Sequence, residues 1–264
     1  MTAPCATIES MTTDSTQKPT YSEFSDPRLV AIYDTLNPID EYKAFYVELA
    51  SKLSVSSIID IGCGSGLLTC ELVGAGHQLI GIEPSGAMLS LARKSPCGEQ
   101  VRWIEGEVEK LGELTSELAI MTGHVAQFFL DDEGWQKALS SIHRALKLGG
   151  HIVFESRNPD RPPFSNWPIE TSPREVVDSN AGLIKWWSTI LEVDNEYVDY
   201  EIHYLFVESD EELVSTNKLR FRTREDLEQS LVDAGFSVED VFGNWDFSRF
   251  DEQSPEMIFI AKAH

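Results

Sequence analysis

Apolar positions recur with two periods along this chain, and the change from one to the other divides it. From Asp26 to Leu53 they follow helical spacing, interrupted at Asn37-Pro38, where the residue before proline avoids the helical region. From Ser56 short apolar runs alternate with helical patterns. The predicted strands are Ile58 to Ile61, Gln78 to Ile82, Val101 to Ile104, Leu118 to Thr122 and His151 to Glu155. Between them fall helices over Leu67 to Val73, Ser85 to Lys94 and Asp132 to Leu146. Repeated strand and helix steps of this kind build a parallel sheet wound on both faces.

The alternation stops at Ser156. Pro159, Pro162, Pro163, Pro168 and Pro173 crowd the next segment, which is therefore expected to be an irregular loop. Period-two patterns over Leu183 to Val193, Tyr197 to Val207 and Glu212 to Phe221 predict three antiparallel strands, with turns at Asp194-Asn195 and Ser209-Asp210. A helix follows from Thr223, a plausible N-cap, to Ala234, ended by Gly235. Ser237 to Phe242 and Met257 to Ala261 supply two closing strands. The expected fold class is α/β: a doubly wound, mostly parallel seven-stranded, Rossmann-like sheet with a small antiparallel β cap inserted after the fifth strand. The expected division is a disordered tail over residues 1–20, N-terminal helices and a binding core over 21–156, a cap over 157–221, and a completing segment over 222–264.

Residues 58–66, Ile-Ile-Asp-Ile-Gly-Cys-Gly-Ser-Gly, narrow the chemistry most. A buried strand ends in an acid and runs into glycines at every second position, which let the backbone approach a bound group closely. A dinucleotide fingerprint wants its third glycine at the sixth motif position, and Leu67 stands there. Glu83, at the end of the second strand, is placed to accept from ribose hydroxyls. The order of four segments resembles the class I S-adenosylmethionine-dependent methyltransferases. They are the Gly62 loop, Ile80 to Pro84, Glu105 to Leu111, and the Ala145-Leu-Lys-Leu-Gly-Gly-His turn before the fifth strand.

That resemblance implies S-adenosyl-L-methionine as cofactor, S-adenosyl-L-homocysteine as product, and methyl transfer to a small-molecule acceptor by in-line displacement. It places Asp60, Gly62, Cys63, Gly64, Gly66, Glu83, Pro84, Met88, Glu107, Val108 and Gly123 around the cofactor. Glu107 replaces the more usual aspartate, and Leu148 the more usual proline. His124, after the fourth strand, is the candidate general base or a wall residue. Tyr33, Arg157, Trp167 and Trp186 are candidate substrate contacts, with Asn158 and Trp245 behind them. A nucleotide-dependent oxidoreductase and a non-catalytic module that binds the same cofactor remain open alternatives.

The chain has 264 residues, 44 acidic and 21 basic, for a formal charge of −23. So negative a surface repels phosphate backbones and anionic membranes, so neither nucleic acid nor membrane is expected as partner. Cys5, Cys63, Cys70 and Cys97 form no Cys-x-x-Cys pair and stand beside no histidine cluster, so neither a metal site nor a disulfide is expected. With no apolar run long enough to span a bilayer, a cytoplasmic protein is expected, as monomer or homodimer.

Overall fold

The computed structural model describes residues 19–38, 41–112, 114–161 and 167–264. The expected N-terminal disorder, Cys5 and the Pro162-Pro163 part of the proline-rich loop lie almost wholly outside them.

Two helices come first, α1 (Pro27–Leu36) and α2 (Glu41–Lys52). Asp26 caps α1 by accepting from the Arg28 N–H, with Pro27 in the first turn, where a missing N–H costs nothing. Then β1 (Ser57–Ile61), α3 (Leu67–Gly74), β2 (Gln78–Glu83), α4 (Gly86–Ala92), β3 (Arg102–Glu105), β4 (Ser116–Met121), α5 (Asp132–Arg144) and β5 (Leu146–Arg157) alternate. The strands β6 (Arg174–Asp178), β7 (Gly182–Asp194), β8 (Tyr197–Phe206) and β9 (Glu211–Arg220) follow, then α6 (Arg224–Asp233), β10 (Phe236–Phe242) and β11 (Glu256–Ala263).

The main sheet has seven strands in the order β10-β11-β5-β4-β1-β2-β3, and only β11 runs against its neighbours. Strand alternation sends its side chains into two cores. Ile59, Ile61 and Ile82 pack with Trp135, Leu139 and Ile142 of α5 and Leu227 and Leu231 of α6. Ile58, Leu79, Leu118 and Ile120 pack with Phe45, Tyr46 and Leu49 of α2 and Leu68 and Leu72 of α3. The order reverses beside β1, with β2 on one side and β4 on the other, and such a switch point opens a crevice at the strands' carboxyl ends.

The cap is a second sheet, β6-β7-β8-β9, all antiparallel. It has four strands where three were expected. The missed one, β6, begins directly after Pro173 and lies on the sheet edge, where Val177 is 73% exposed. Its inward face carries Val176 and the buried Asp178 while Val177 points out, so apolar and polar residues do not sort between its two faces. The cap is fastened to the core by Arg220, which pairs with Asp132 of α5 at 2.7 Å.

The expectation of no disulfide is corrected. Cys70 of α3 and Cys97, in the turn that follows α4, are bridged, with Cα atoms 5.3 Å apart across a sequence separation of 27. Motif spacing could not reveal the pair, because it depends on α3 and α4 both packing on β2. Cys63 is a free thiol. Among the described residues no group of His, Cys, Asp and Glu could hold a metal ion, and no helix is long and apolar enough to cross a membrane.

Candidate functional site

A cavity of about 700 Å³ opens at the switch point, within the range of roughly 300–1,000 Å³ usual for small-ligand sites. Its floor is the turn from β1 to α3. Gly64 has φ +55, a conformation L side chains resist, and a Cβ there would point at empty cavity apart from the Met88 methyl at 3.4 Å. Gly62 differs: at φ +69 its added Cβ would strike Val125 at 2.6 Å, so it is needed for packing.

Carboxylates ring this floor. Glu83 closes β2, is 8% exposed, and accepts from the Gly64 N–H at 3.1 Å and the Ser85 N–H at 2.8 Å. Burial pushes its carboxyl up and these two amides oppose the shift. Asp60 ends the apolar run of β1 on the face covered by α3, where Thr69 donates to its Oδ2 at 2.6 Å. Its Oδ1 is buried and has no partner. Burial raises the Asp60 carboxyl to about 7, against the Thr69 bond and with help from Glu83 and Glu155. Asp34 of α1 accepts from the Ser65 hydroxyl and stands on the same rim.

Asp60 gives a stability test whose sign is fixed. Its folded value near 7 lies above its ordinary 3.8, so between the two the folded state holds the extra proton. Stability should therefore be greatest at the acid end of that window and fall as pH rises through 7. Denaturant melts from pH 5 to 8 should show this decline in the wild type and a flatter profile in Asp60→Asn; identical profiles would remove Asp60 as the cause.

Other residues of the site fall in three groups. Asp60, Gly62, Cys63, Gly64, Glu83, Pro84, Glu107, Val108, Gly123 and Tyr33 line the cavity. Gly66 and Met88 do not: Gly66 packs against Trp103, and Met88 is fully buried below the Gly64 turn. The remaining four expected site residues stand apart from the lining. His124 has φ +62, and its ring nitrogen Nε2 meets Glu256 of β11 at 2.9 Å. Its N–H donates to Glu155 at 2.7 Å, and Tyr46 donates to the other Glu155 oxygen. Burial would raise Glu256, but His124 and Arg157 hold it below its ordinary range. Arg157 donates to Gln127 at 2.8 Å and lies over Trp167, which packs on Tyr200. Trp186 packs with Leu29 and Ile32 of α1, under Arg174. These four hold the cap and its neighbours together.

What the sequence did not single out is the roof. Residues 20–25 cross from the cap to the core: the Thr20 and Tyr21 amides donate to the Thr216 carbonyl of β9 at 3.0 and 3.1 Å, and the Ser85 hydroxyl donates to the Phe24 carbonyl at 2.5 Å. Tyr21 and Phe24 meet Phe128 with ring centroids 5.5 and 5.8 Å apart, and Phe24 meets Tyr33 at 6.0 Å. All four rings line the cavity. The only signal was a cluster of aromatics in a short polar stretch before α1.

The chemistry of the lining fits S-adenosylmethionine: the Asp60 Oδ1, buried without a partner, offers an acceptor to an ammonium, and the Glu83 carboxylate at the end of β2 offers acceptors to hydroxyls. Comparison with known proteins agrees. Residues 58–150 match the family model described as a methyltransferase domain. An uncharacterised methyltransferase of Oceanobacillus iheyensis is 33% identical over 101 residues, covering 38% of this chain and 46% of that protein. Mouse glycine N-methyltransferase is 26% identical over 158 residues, covering 53% and 54%. The chain thus spans about half the length of the curated relatives it matches. In fold it is similar to an S-adenosylmethionine-dependent methyltransferase from Clostridium acetobutylicum, with TM-score 0.74, 16% identity, and 89% and 98% of the two chains covered. A sugar N-methyltransferase from Streptoalloteichus gives 0.71 at 15% identity, covering 99% and 100%.

Proposed function

We propose that this chain, a class I S-adenosylmethionine-dependent methyltransferase by its matched domain and its fold, methylates a small-molecule acceptor. The observation that carries the reading is the glycine floor, open to the cavity at Gly64 and ringed by Asp60 and Glu83. When bound, the cofactor supplies an electrophilic methyl group on a sulfonium sulfur. The chain's own part is to bind, orient and exclude water, which replaces a bimolecular encounter by a positioned one.

In this reading Glu83 and Glu107 hold the nucleoside end, and Asp60 faces the cationic end. Gly123, whose φ of +71 meets no neighbour within 4 Å of an added Cβ, leaves room beside the reacting centre. The aromatic roof of Tyr21, Phe24, Tyr33 and Phe128 shields that space from solvent. His124 acts by pinning the Gly123 turn through Glu155 and Glu256. The strong negative charge supports a small-molecule acceptor over a nucleic-acid one. A nucleotide-dependent oxidoreductase receives no support from the matched domain.

Titration calorimetry with S-adenosylmethionine and S-adenosylhomocysteine tests this directly. Both are expected to bind at one site per chain. Absence of binding at millimolar ligand would refute the proposal, and tight binding without turnover across an acceptor panel would favour a non-catalytic module.

A further inference from the structure

The cavity runs across the carboxyl ends of four neighbouring strands. Glu107 follows β3, Glu83 closes β2, Asp60 belongs to β1 and Thr122 follows β4, and all four residues line it. These strands lie in the order β4-β1-β2-β3, and at about 4.8 Å between neighbours the cleft is roughly 14 Å wide at its floor. Charge is spread unevenly along that width. Among the described lining residues the charged side chains are Asp34, Lys43, Asp60, Glu83 and Glu107, on the two N-terminal helices, β1, β2 and the segment after β3. The segment after β4 contributes none: it brings Thr122, Gly123, Val125, Phe128 and Phe129. Lys43, the one cation, donates to the Pro38 carbonyl at 2.8 Å.

Phe128 is where the roof comes down on the β4 side. Tyr21 and Phe24 each meet its ring, and Phe24 meets Tyr33, at interplanar angles of 57°, 66° and 56°. Rings so inclined do not cover one another's faces. All four are only half-buried although they pack together, and all four line the cavity, so ring surface stays open to it. Such surface gains most from a further ring, set offset or edge-on, and less from an aliphatic group of equal area. Polar groups here are few. The Tyr21 hydroxyl donates to the Lys218 carbonyl at 3.1 Å. The Tyr33 hydroxyl has no hydrogen-bond partner among the described residues, and burial raises it, which keeps its proton in place as a donor.

We infer that Tyr21, Phe24, Tyr33 and Phe128 form a ring-binding subsite, so that the methyl acceptor is a flat aromatic compound without an acid group. This rests on the methyltransferase reading, with the nucleoside end of the cofactor at Glu83 and Glu107 and the acceptor on the β4 side. A flat ring entering among the tilted rings meets faces and edges at once, and an oxygen or ring nitrogen on it accepts from Tyr33. An anionic acceptor would lie beside the carboxylates of the floor, its buried charge uncompensated. A sugar or an aliphatic acceptor would forgo the ring contacts.

The test uses the full chain saturated with S-adenosylhomocysteine and titrated by calorimetry with 2-naphthol, decahydro-2-naphthol and 2-naphthoate. The decahydro compound keeps the carbon skeleton and the hydroxyl but has no ring faces and is the more apolar, so a wall that offered only apolar area would bind it at least as well. 2-Naphthol is expected to bind at least about tenfold tighter than either of the others. Phe128→Leu, apolar but without a ring, should remove most of that preference while S-adenosylhomocysteine affinity stays within roughly twofold. Equal binding of 2-naphthol and either comparison probe overturns the inference. So does a Phe128→Leu variant that loses S-adenosylhomocysteine and 2-naphthol together, since the rings would then serve the adenine of the cofactor. The wild-type series decides alone if the variant does not fold. Absence of S-adenosylhomocysteine binding overturns the methyltransferase reading and this inference with it; its binding without the expected order of probes overturns the inference alone.

Discussion

Gly64→Val should abolish S-adenosylhomocysteine binding, lowering affinity by at least about 100-fold, or roughly 2.7 kcal/mol. Two effects add. A β-branched residue at φ +55 pays about 1–2 kcal/mol for the left-handed backbone, which it can relieve only by moving the Gly64 N–H away from Glu83. Its methyl groups would also occupy the cavity, because only the Met88 methyl stands near the added Cβ. Gly64→Ala, with one carbon, should fall between. Gly62→Ala should behave differently, losing stability first, since its Cβ collides with Val125 inside the protein. Calorimetry for affinity and thermal melts for stability separate the two positions. Unchanged affinity in Gly64→Val would show that this turn is not the cradle.

Glu155→Ala is expected to cost about 2–4 kcal/mol of stability, the largest loss foreseen for a single side chain outside the apolar core. Glu155 is fully buried on β5, and its two oxygens accept from the His124 N–H and the Tyr46 hydroxyl. Removing it leaves both donors buried without a partner, at about 1–3 kcal/mol each. Burial and the neighbouring Glu256 disfavour the ionised carboxylate, so part of that cost is returned. Glu155→Gln keeps an acceptor and should lose much less. Urea titrations of the three proteins give the comparison, and the Ala variant should also bind the cofactor more weakly, as the Gly123-His124 turn loses its anchor. An Ala variant as stable as wild type would mean that the carboxylate holds nothing.

The alternating core was legible because its signals are local. Ile58 to Ile61 before a glycine turn, and the Thr223 cap on α6, are decided within a few residues; the Thr223 hydroxyl does accept from the Asp226 N–H, at 3.1 Å. Relations across the chain were not legible. Cys70 and Cys97 meet only because α3 and the turn after α4 are neighbours. Trp167 and Trp186 read as candidate substrate contacts, yet a ring says nothing of which side of a sheet it will face, and both pack where the cap meets the rest of the chain, Trp186 on α1 and Trp167 in the cluster with Phe128. The edge strand β6 puts Asp178 on its inward face and Val177 on its outward one, the reverse of the alternation that would mark it. Ser215 and Asn217 sit at inward positions of β9 and break its alternation, a signal visible in Glu211 to Arg220 only once the register is known.

The roof over the cavity is attached at points of very different kind from the sheet beneath it. Two backbone amides on Thr216, the Tyr21 hydroxyl on the Lys218 carbonyl, the Ser85 and Ser215 hydroxyls and a cluster of rings hold residues 20–25, with no strand ladder among them. Such a segment detaches at a small fraction of the free energy needed to unfold the sheet. Solvent exchange at the Thr20 and Tyr21 amides should then run far faster than at β1 or β4. Entry and release become a matter of how often a few residues let go, a clock that can be retuned at Thr216 or Phe24 without touching the core.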